Sequence, residues 1–459
     1  MSRRAQHGLG IGALVLGAAV TGIASGCASA HPERQLEVAT QTGRLVPLDS
    51  VTVSYTVGDV RVIQRPNYAN DVVAVHLYLL GGRRQLTPST QGIETLLLRT
   101  SKYGTAKYPG DSVRKVWART GSDFLLSPED DWTVVGFRAV TSEFDSSWSV
   151  FAERVMHPAL ASASVALVRS QMLSALRERV LDPDGYLRLL SDSVAFSGRP
   201  YGLDPSGSEA SLGGLDSAAL ATYERTQMVT SRMLLIVVGN VDRATIERNV
   251  AATLATLPKG EYTWSLPRDS SASPVPVVMR ARPTATNYLL GVFQGPPASA
   301  KDYAAFRVAT AMLSSLVGDM VRDQHRLSYA ADAPYVDRGI AQGGVYVSTS
   351  VPTKVLPMIR GVIDSVEHIP PMYFGIHSFT DSFIFEYLAD NSTDDAQADF
   401  LARAQLYHGD YKTATDAMEA LRRVNTSDVR AAAKRYFSHI QFVYVGDTTR
   451  VTPKDFAIF

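Results

Sequence analysis

The sequence predicts an α+β protein that consists of two similar halves. Stretches rich in β-branched residues, such as VTVSYTV and DVVAVHLYLL, alternate with longer stretches whose apolar residues have helical spacing. A helix followed by a buried strand ends at Gly239-Asn240, and the same ending recurs 207 residues later at Gly446-Asp447. A duplicated unit of about 200 residues explains this recurrence. A chance match is the alternative, because helices followed by strands are common.

The first half begins with strands and continues with helices. Strands are predicted at VTVSYTV, VRVIQR and DVVAVHLYLL, and a turn at Gly81-Gly82 leads to a helix that opens at Gly92. Helices follow near residues 111–119, 144–154 and 163–180, where Asp182-Pro183 is a stop signal. Asp216 caps the next helix, and RMLLIVVGNVD is a buried strand.

The second half repeats this order after a polar break that contains Pro and Ser and has no periodicity. A strand at 287–294, a helix at 303–325, a β-rich stretch at 343–351 and a strand IQFVYVGD are predicted. At 459 residues the chain is too long for one hydrophobic core. We therefore predict a signal peptide at 1–27, a tether at 28–48, a first domain at 49–258, a linker at 259–276 and a second domain at 277–459.

The N-terminus has the features of a secretion signal. Two arginines precede an apolar stretch from Leu9 to Ile23, which is short for a membrane span. Cys27, the only cysteine, follows small residues, as in a bacterial lipobox, where the Cys is acylated. The sequence therefore predicts a periplasm-facing lipoprotein of the bacterial cell envelope, held at the outer membrane through Cys27. Cleavage nearby in a plain secreted protein is the alternative.

The segment GIETLLLRTSKYGT, Gly92 to Thr105, has the outline of an inverted zinc-protease helix. Such helices carry H-x-x-E-H, in which two His bind zinc and the Glu activates the attacking water. Positions i, i+3 and i+4 share one helix face, and here they hold Thr95, Leu98 and Arg99. Thr is a poor zinc ligand, Leu cannot accept a proton, and Arg repels Zn²⁺. An ordinary amphipathic helix is the other interpretation of this segment.

Together the motifs resemble those of the M16 peptidase family (insulinase, pitrilysin and mitochondrial processing peptidase). The segment just described is similar to the family pattern G-(L/I)-A-H-x-x-E-H-x-x-x-x-G-T, and GRPYGLDPSGSEASLGGLDSAAL is similar to its h-P-Y-G segment. The resemblance extends from about Val51 to the C-terminus and points to the bacterial M16B branch. It implies two M16-type (LuxS/MPP-like) α+β domains, each a mostly antiparallel sheet packed with helices.

The resemblance also assigns the site residues. The family's third zinc ligand, a Glu on a later helix, falls on Ala175, so all four catalytic positions are lost and no cofactor is expected in this chain. VRDQHRLSYAA resembles the family's L-R-E-k-r-G-L-A-Y-S, in which an Arg and a Tyr seven residues apart assist catalysis. Arg322 and Tyr329 occupy those places, and Arg326 replaces the usual Gly. An Arg in a surface ion pair is the alternative interpretation.

Some M16B enzymes are heterodimers in which one subunit has lost the zinc motif but supplies the Arg/Tyr pair. The resemblance therefore implies a membrane-tethered subunit that is inactive alone, pairs with a zinc-bearing homologue and acts on a peptide or unfolded protein. A degenerate peptidase fold that binds peptides or scaffolds a complex is the second hypothesis, and an independent protease with an unrecognised metal site is the third. The 45 basic and 45 acidic residues cancel, which gives no argument for a nucleic-acid partner.

Replacing Cys27 with Ser is expected to move the protein from the membrane fraction to the soluble envelope fraction, or to leave it unprocessed. The acyl anchor is the only strong membrane signal in the sequence. Cell fractionation and immunoblotting, with the wild-type chain alongside, measure the change. Unchanged partitioning into the membrane would count against a lipid anchor.

Overall fold

Two six-stranded mixed sheets packed with helices make up the part of the chain that the computed structural model describes, which is residues 51–198, 201–267, 277–370 and 375–459. These residues form one compact unit. The predicted signal peptide, the tether and Cys27 lie outside the described residues, as do residues 268–276 of the predicted linker. The α+β prediction is confirmed, while the domain boundaries stay predictions.

The first half contains the predicted strands and helices in the predicted order, together with two strands and three helices that the sequence analysis did not predict. Its strands are β1 Val53–Val57, β2 Val60–Pro66, β3 Val72–Leu80, β4 Asp123–Pro128, β5 Trp132–Val140 and β6 Met233–Gly239. Its helices are α1 Ile93–Thr100, α2 Ser112–Thr120, α3 Phe144–Met156, α4 Ser162–Leu181, α5 Pro183–Ala195, α6 Glu209–Gly214, α7 Ser217–Gln227 and α8 Arg243–Ala252. Asp216 caps α7 as predicted, since its carboxylate accepts from the N–H of Ala219 at 2.8 Å.

The second half contains the remaining six strands of the described chain. They are β7 Val278–Ala281, β8 Asn287–Pro297, β9 Ser328–Asp332, β10 Tyr335–Val336, β11 Ile340–Thr349 and β12 Gln441–Gly446. The helices are α9 Tyr303–Val317, α10 Pro352–Glu367, α11 Ile376–Asp390, α12 Asp394–His408, α13 Asp416–Arg423 and α14 Thr426–Tyr436. Asn425 caps α14, and its side chain accepts from the N–H groups of Ser427 and Asp428.

The two sheets share one topology. The first has the order β1-β2-β6-β3-β5-β4, and the second has β7-β12-β8-β11, with β9 and β10 both paired to the far edge of β11. In each sheet one pair is parallel, β2 with β6 and β7 with β12, and the other pairs are antiparallel. The orders superpose when β3 is matched with β8, β5 with β11 and β6 with β12. This repetition agrees with the predicted duplication.

Each sheet is covered on both faces, and each half donates a helix to the other. The helices of the first half cover one face of the first sheet, and α12 from the second half covers the other face. In the second sheet α9, α10 and α14 cover one face, and α5 from the first half covers the other. Because both faces of each sheet are buried, β6 and β12 are apolar almost throughout and do not alternate between apolar and polar residues.

Strand β3 shows how one strand serves two cores. Val73, Val75, Leu77 and Leu79 face the helices of the first half, while Tyr78 and Leu80 pack on the side of α12. His76 also points to α12: its Nε2 lies 2.9 Å from Oδ1 of Asp395, and its Nδ1 lies 3.3 Å from Oδ1 of Asp399. Burial disfavours the charged ring, but the two carboxylates outweigh it and raise the pKa of His76 to about 9. An ion cluster around the buried ring of His76 therefore fastens α12 to the first sheet.

One helix in the part of the chain described here is long and apolar enough to cross a membrane, namely Tyr303–Gln324. Its side chains Phe306, Val308, Ala309 and Leu313 are completely buried in the core of the second half. The composition of this helix therefore reflects its place in the core.

The ion cluster at His76 predicts that stability depends on pH. The pKa of His76 in the folded protein lies above its unfolded value of about 6.5. Its contribution to the free energy of unfolding is therefore fully present below pH 6.5 and is lost as the pH rises through 9. The loss is on the order of 3 kcal/mol. Urea unfolding at several pH values between 6 and 10 measures it. His76→Gln should remove this slope, whereas His368→Gln, at an exposed histidine, should keep it.

Candidate functional site

Helix α1, where the family motif places its zinc ligands, begins with the glycine of that motif. Gly92, the N-cap of α1, has φ 83°, in the left-handed region that favours glycine. A Cβ at this position would lie 2.9 Å from the Cα of Gly207, so the close approach of this loop also requires glycine. The hydroxyl of Thr95 donates to the carbonyl of Pro205 at 2.6 Å, which ties α1 to the same loop. The frame of the site is therefore intact.

The four predicted zinc positions do not form a ligand set. Thr95 and Leu98 are buried, with 2% and 1% exposure, and Leu98 belongs to the core of the first half. Arg99 is exposed on α1, and Ala175 is exposed on α4, which packs against α1. Among the described residues, no group of three or more His, Cys, Asp or Glu side chains is placed to hold a metal ion. The residues present do not fit zinc.

A buried cation lies directly beside these positions. Arg154 on α3 is 4% exposed, its Nε donates to the hydroxyl of Ser101 at 3.0 Å, and its Nη2 donates to the carbonyl of Leu98 at 3.4 Å. The guanidinium carbon lies 3.3 Å from the centroid of the Phe124 ring. Burial lowers the pKa of Arg154 to about 9, so the side chain stays charged at neutral pH. This positive charge further opposes Zn²⁺ at the adjacent helix. No sequence signal distinguishes Arg154 from other helical arginines.

The one buried carboxylate of α1 is already engaged. Oε2 of Glu94 accepts from Nη2 of Arg232 at 2.9 Å and from the hydroxyl of Tyr223 at 2.9 Å. Arg232 also donates through Nε to the carbonyl of Leu80 at 2.8 Å. Each group of this buried pair has partners that compensate its charge, as burial demands. Glu94 is therefore a structural residue and does not replace the missing general base.

The Arg/Tyr segment of the second half has an unusual backbone. The predicted continuous helix ends as an α-helix at Val317 and continues as a π-helix over Gly318–Gln324. Arg326 follows with φ 53°, a left-handed conformation that is strained for a residue with a Cβ. The family's usual Gly would adopt this conformation freely. Arg326 therefore occupies a backbone conformation that suits glycine.

Arg322 and Tyr329 are both at the surface. Arg322 pairs with its neighbour Asp323, with Nε to Oδ1 at 2.8 Å and Nη2 to Oδ2 at 3.0 Å. The hydrogen bond from Arg322 holds the pKa of Asp323 below its usual value. Tyr329 on β9 is 98% exposed, and its hydroxyl has no hydrogen-bond partner among the described residues. The sequence did not single out Asp323, although its position next to Arg322 is a usable signal.

Gly318 lies close to both the side chain of Arg322 and strand β9. A Cβ at Gly318 would lie 3.6 Å from Nη2 of Arg322 and 3.3 Å from the carbonyl oxygen of Ala331. The π-helical segment that carries Arg322 therefore packs against β9, the strand that carries Tyr329. The backbone N–H of Leu327 donates to the carbonyl of Val321 at 2.9 Å. This hydrogen bond closes the loop between the π-helix and β9.

A cavity of ≈ 200 Å³ lies between the two halves and involves none of these residues. Its lining is Glu129, Asp130, Asp131, Trp132, Asp337, Arg338 and Tyr407. Asp131 accepts from Arg84, Tyr201, the N–H of Gly339 and Tyr407. Asp130 pairs with Arg83 at 2.7 Å and Arg338 at 2.9 Å. These two carboxylates are satisfied within the fold, so the cavity is part of the contact between the halves.

Comparison with known proteins agrees with this geometry. Residues 215–369, which include Arg322 and Tyr329, match the family model described as Peptidase M16 inactive domain. Over these residues the chain is similar to the inactive domain of M16 peptidases, as the motifs predicted. The residues at Thr95, Leu98 and Arg99 agree with an inactive M16-type fold. No curated protein matches the chain in sequence.

Three solved structures share the M16-type fold over most of the chain. A peptidase M16 inactive domain from Pseudomonas fluorescens has a TM-score of 0.78 at 18% identity and covers 88% of this chain and 99% of its own. A protease from Helicobacter pylori has a TM-score of 0.78 at 16% identity, with 86% and 99% covered. A conserved protein from Enterococcus faecalis has a TM-score of 0.77 at 16% identity, with 88% and 100% covered.

The ligand loss predicts that the purified mature chain holds no stoichiometric zinc and cleaves no peptide. The hydroxyl of Thr95 is occupied by a backbone carbonyl, and the charges of Arg99 and Arg154 oppose a metal cation. Elemental analysis and a peptide library, each with and without a chelator, test this. About one zinc per chain together with chelator-sensitive hydrolysis would overturn the assignment.

Proposed function

We propose that this chain is the non-catalytic subunit of an M16B-like zinc metalloprotease. In this proposal a homologue with an intact H-x-x-E-H helix holds the zinc, and this chain completes the chamber that binds the peptide. Its own contribution to the reaction is the Arg322/Tyr329 pair, which acts in trans. The complex faces the periplasm, and the lipid on Cys27 holds it at the outer membrane.

The observation that carries the proposal is the unusual structure of residues 318–329. A π-helical turn and a left-handed arginine lie within a few residues of a tyrosine that is 98% exposed. Such features carry a free-energy cost and concentrate at functional sites. They are present in this chain, although Thr95, Leu98 and Arg99 stand at the zinc positions of the first half.

The chemistry of the pair suits peptide hydrolysis. The tetrahedral intermediate carries an oxyanion, and a guanidinium and a phenol are hydrogen-bond donors to it. Tyr329 has a free hydroxyl, whereas two donors of Arg322 are held by Asp323. Because this ion pair is exposed, solvent screens it and its contribution is small. A bound substrate can therefore displace Asp323.

The same ion pair supports a second candidate function. If Asp323 keeps Arg322 neutralised, the chain is a degenerate peptidase fold that binds peptides or scaffolds an envelope complex without hydrolysis. In that case substitution of Arg322 changes peptide affinity, and no turnover is lost.

Reconstitution with a zinc-bearing homologue tests the proposal. Arg322→Ala and Tyr329→Phe are each expected to lower kcat by about 10²–10³, the effect of removing one oxyanion donor, with assembly unchanged. Arg322→Ala should have the larger effect because charge-assisted hydrogen bonds are stronger. Measuring KM and kcat together separates binding from chemistry.

Matched controls are available on the same chain. Arg422 is an exposed arginine paired with nearby Glu419, as Arg322 is with Asp323, and Tyr68 is 73% exposed. Arg422→Ala and Tyr68→Phe should leave kcat unchanged. Full activity of the Arg322→Ala/Tyr329→Phe double variant would show that the pair is structural.

A further inference from the structure

A surface of positive charge begins at one of the lost zinc positions. The segment from Arg99 to Arg119 contains six Lys or Arg residues and a single acidic residue, Asp111, in a chain whose total charge is zero. We define the basic surface as the five cations of this segment that have no ion pair among the described residues: Arg99, Lys102, Lys107, Lys115 and Arg119. Lys102 is half-buried, and the others are exposed.

The fold places α2, which carries Lys115 and Arg119, against the turn that follows α1. The backbone of Gly104 approaches that of Gly110, and a Cβ on Gly104 would lie 2.9 Å from the amide nitrogen of Gly110. This contact folds the connection between α1 and α2 back on itself. The buried guanidinium of Arg154 contacts the carbonyl of Leu98 and the hydroxyl of Ser101, and so adds a further positive charge at the same helix end.

Few carboxylates face the basic surface. Asp111 pairs with Arg114, and Oε2 of Glu153 accepts from the backbone N–H of Lys107 at 3.0 Å. Three acids of the neighbouring elements are paired elsewhere: Asp123 with Arg138, Asp145 with Arg248 and Glu94 with Arg232. Glu153 on α3 and Glu224 on α7 have no ion pair in the described chain and offset part of the local charge. The five unpaired cations outnumber them, so a net positive charge remains that attracts an anionic ligand.

We propose that the basic surface binds acidic segments of a polypeptide, with Arg99 taking a carboxylate where the family holds zinc. A guanidinium binds a carboxylate through two parallel hydrogen bonds but activates no water, so the position keeps a positive charge and loses the chemistry. This inference rests on the proposed function, because it names the class of substrate, rich in Asp and Glu, that the chain presents to its partner.

A polypeptide fits this surface better than a membrane does. A membrane-binding surface combines cations with exposed apolar side chains that enter the lipid. None of the exposed large hydrophobic residues of the described chain lies between Arg99 and Arg119. The two tyrosines of the segment, Tyr103 and Tyr108, are half-buried under Lys102 and Lys107, with ammonium-to-ring distances of 5.0 Å and 5.4 Å.

Equilibrium binding to the mature chain alone tests the inference. The probe is a fluorescent peptide rich in Asp and Glu, its counterpart has Asn and Gln at those positions, and anisotropy reports binding. We expect binding of the acidic peptide only, weakened at least about tenfold between 20 mM and 500 mM salt as the Debye length shortens. Lys102→Glu/Lys115→Glu/Arg119→Glu should weaken binding by about tenfold or more, and Arg99→Gln by a smaller factor.

The matched control reverses three exposed lysines of the second half that also lack ion pairs: Lys354→Glu/Lys434→Glu/Lys454→Glu. It changes the net charge equally and should leave affinity within about twofold, because these charges lie outside the basic surface. Circular dichroism and thermal melting confirm that both triple variants fold.

Three results would overturn the inference: equal affinity for both peptides, equal loss in both triple variants, or binding to phosphatidylglycerol vesicles but not to the acidic peptide. The assay contains no zinc-bearing homologue and measures no turnover. Its failure would therefore leave the role of Arg322 and Tyr329 open to its own test, and failure of that role would leave peptide binding intact.

Discussion

The fold depends on a reciprocal exchange of helices between its two halves. If each sheet were covered on one face only, apolar side chains of β3, β6, β8 and β12 would be exposed to water on the other face. Neither half has a helix of its own that covers this second face. The structure covers these faces by placing α12 on the first sheet and α5 on the second. Polar contacts fix the position of both helices: His76 binds Asp395 and Asp399, and the hydroxyl of Tyr346 donates to Asp184 at 2.5 Å. Neither sheet is fully covered without the other half.

This arrangement explains how the first half tolerates the loss of its chemistry. The zinc helix α1 is also a core helix, and its side chains Ile93, Leu96 and Leu97 pack under the sheet whether or not a metal is present. Leu98 extends this packing at the position of the catalytic Glu. A buried ionised side chain without a charged partner would cost several kcal/mol here. Replacement by leucine removes the function and improves the burial, so the degenerate helix remains a sound part of the fold.

The second half shows the opposite balance. The backbone from Gly318 to Arg326 departs from regular geometry, and it positions side chains that make few contacts within the chain. Strain of this kind persists where the surroundings enforce it, and the pairing of β9 with β11 holds one end of the segment. The basic surface begins at Arg99 in the first half, and Arg322 and Tyr329 lie in the second. The two halves therefore present different chemistry on one duplicated topology.

The sequence by itself determined the α+β class, the repeated order of strands and helices, and the loss of the zinc ligands. Each of these follows from local information: the spacing of apolar residues, capping residues such as Asp216, and residue types such as Thr95 and Arg99 that cannot bind zinc. It also placed Arg322 and Tyr329 at their spacing of seven residues, although their function remains a proposal.

Only the tertiary structure decided which helix covers which sheet, because α5 and α12 have the same kind of local pattern whether they pack on their own half or on the other. It also decided the ionisation of His76, since the carboxylates that raise its pKa lie more than three hundred residues away in the chain. The burial of Arg154 beside the zinc positions and the π-helical turn at Gly318 likewise depend on packing between distant elements. Such long-range contacts leave no periodic or compositional signal in the segments that make them, so they could not be predicted from the sequence.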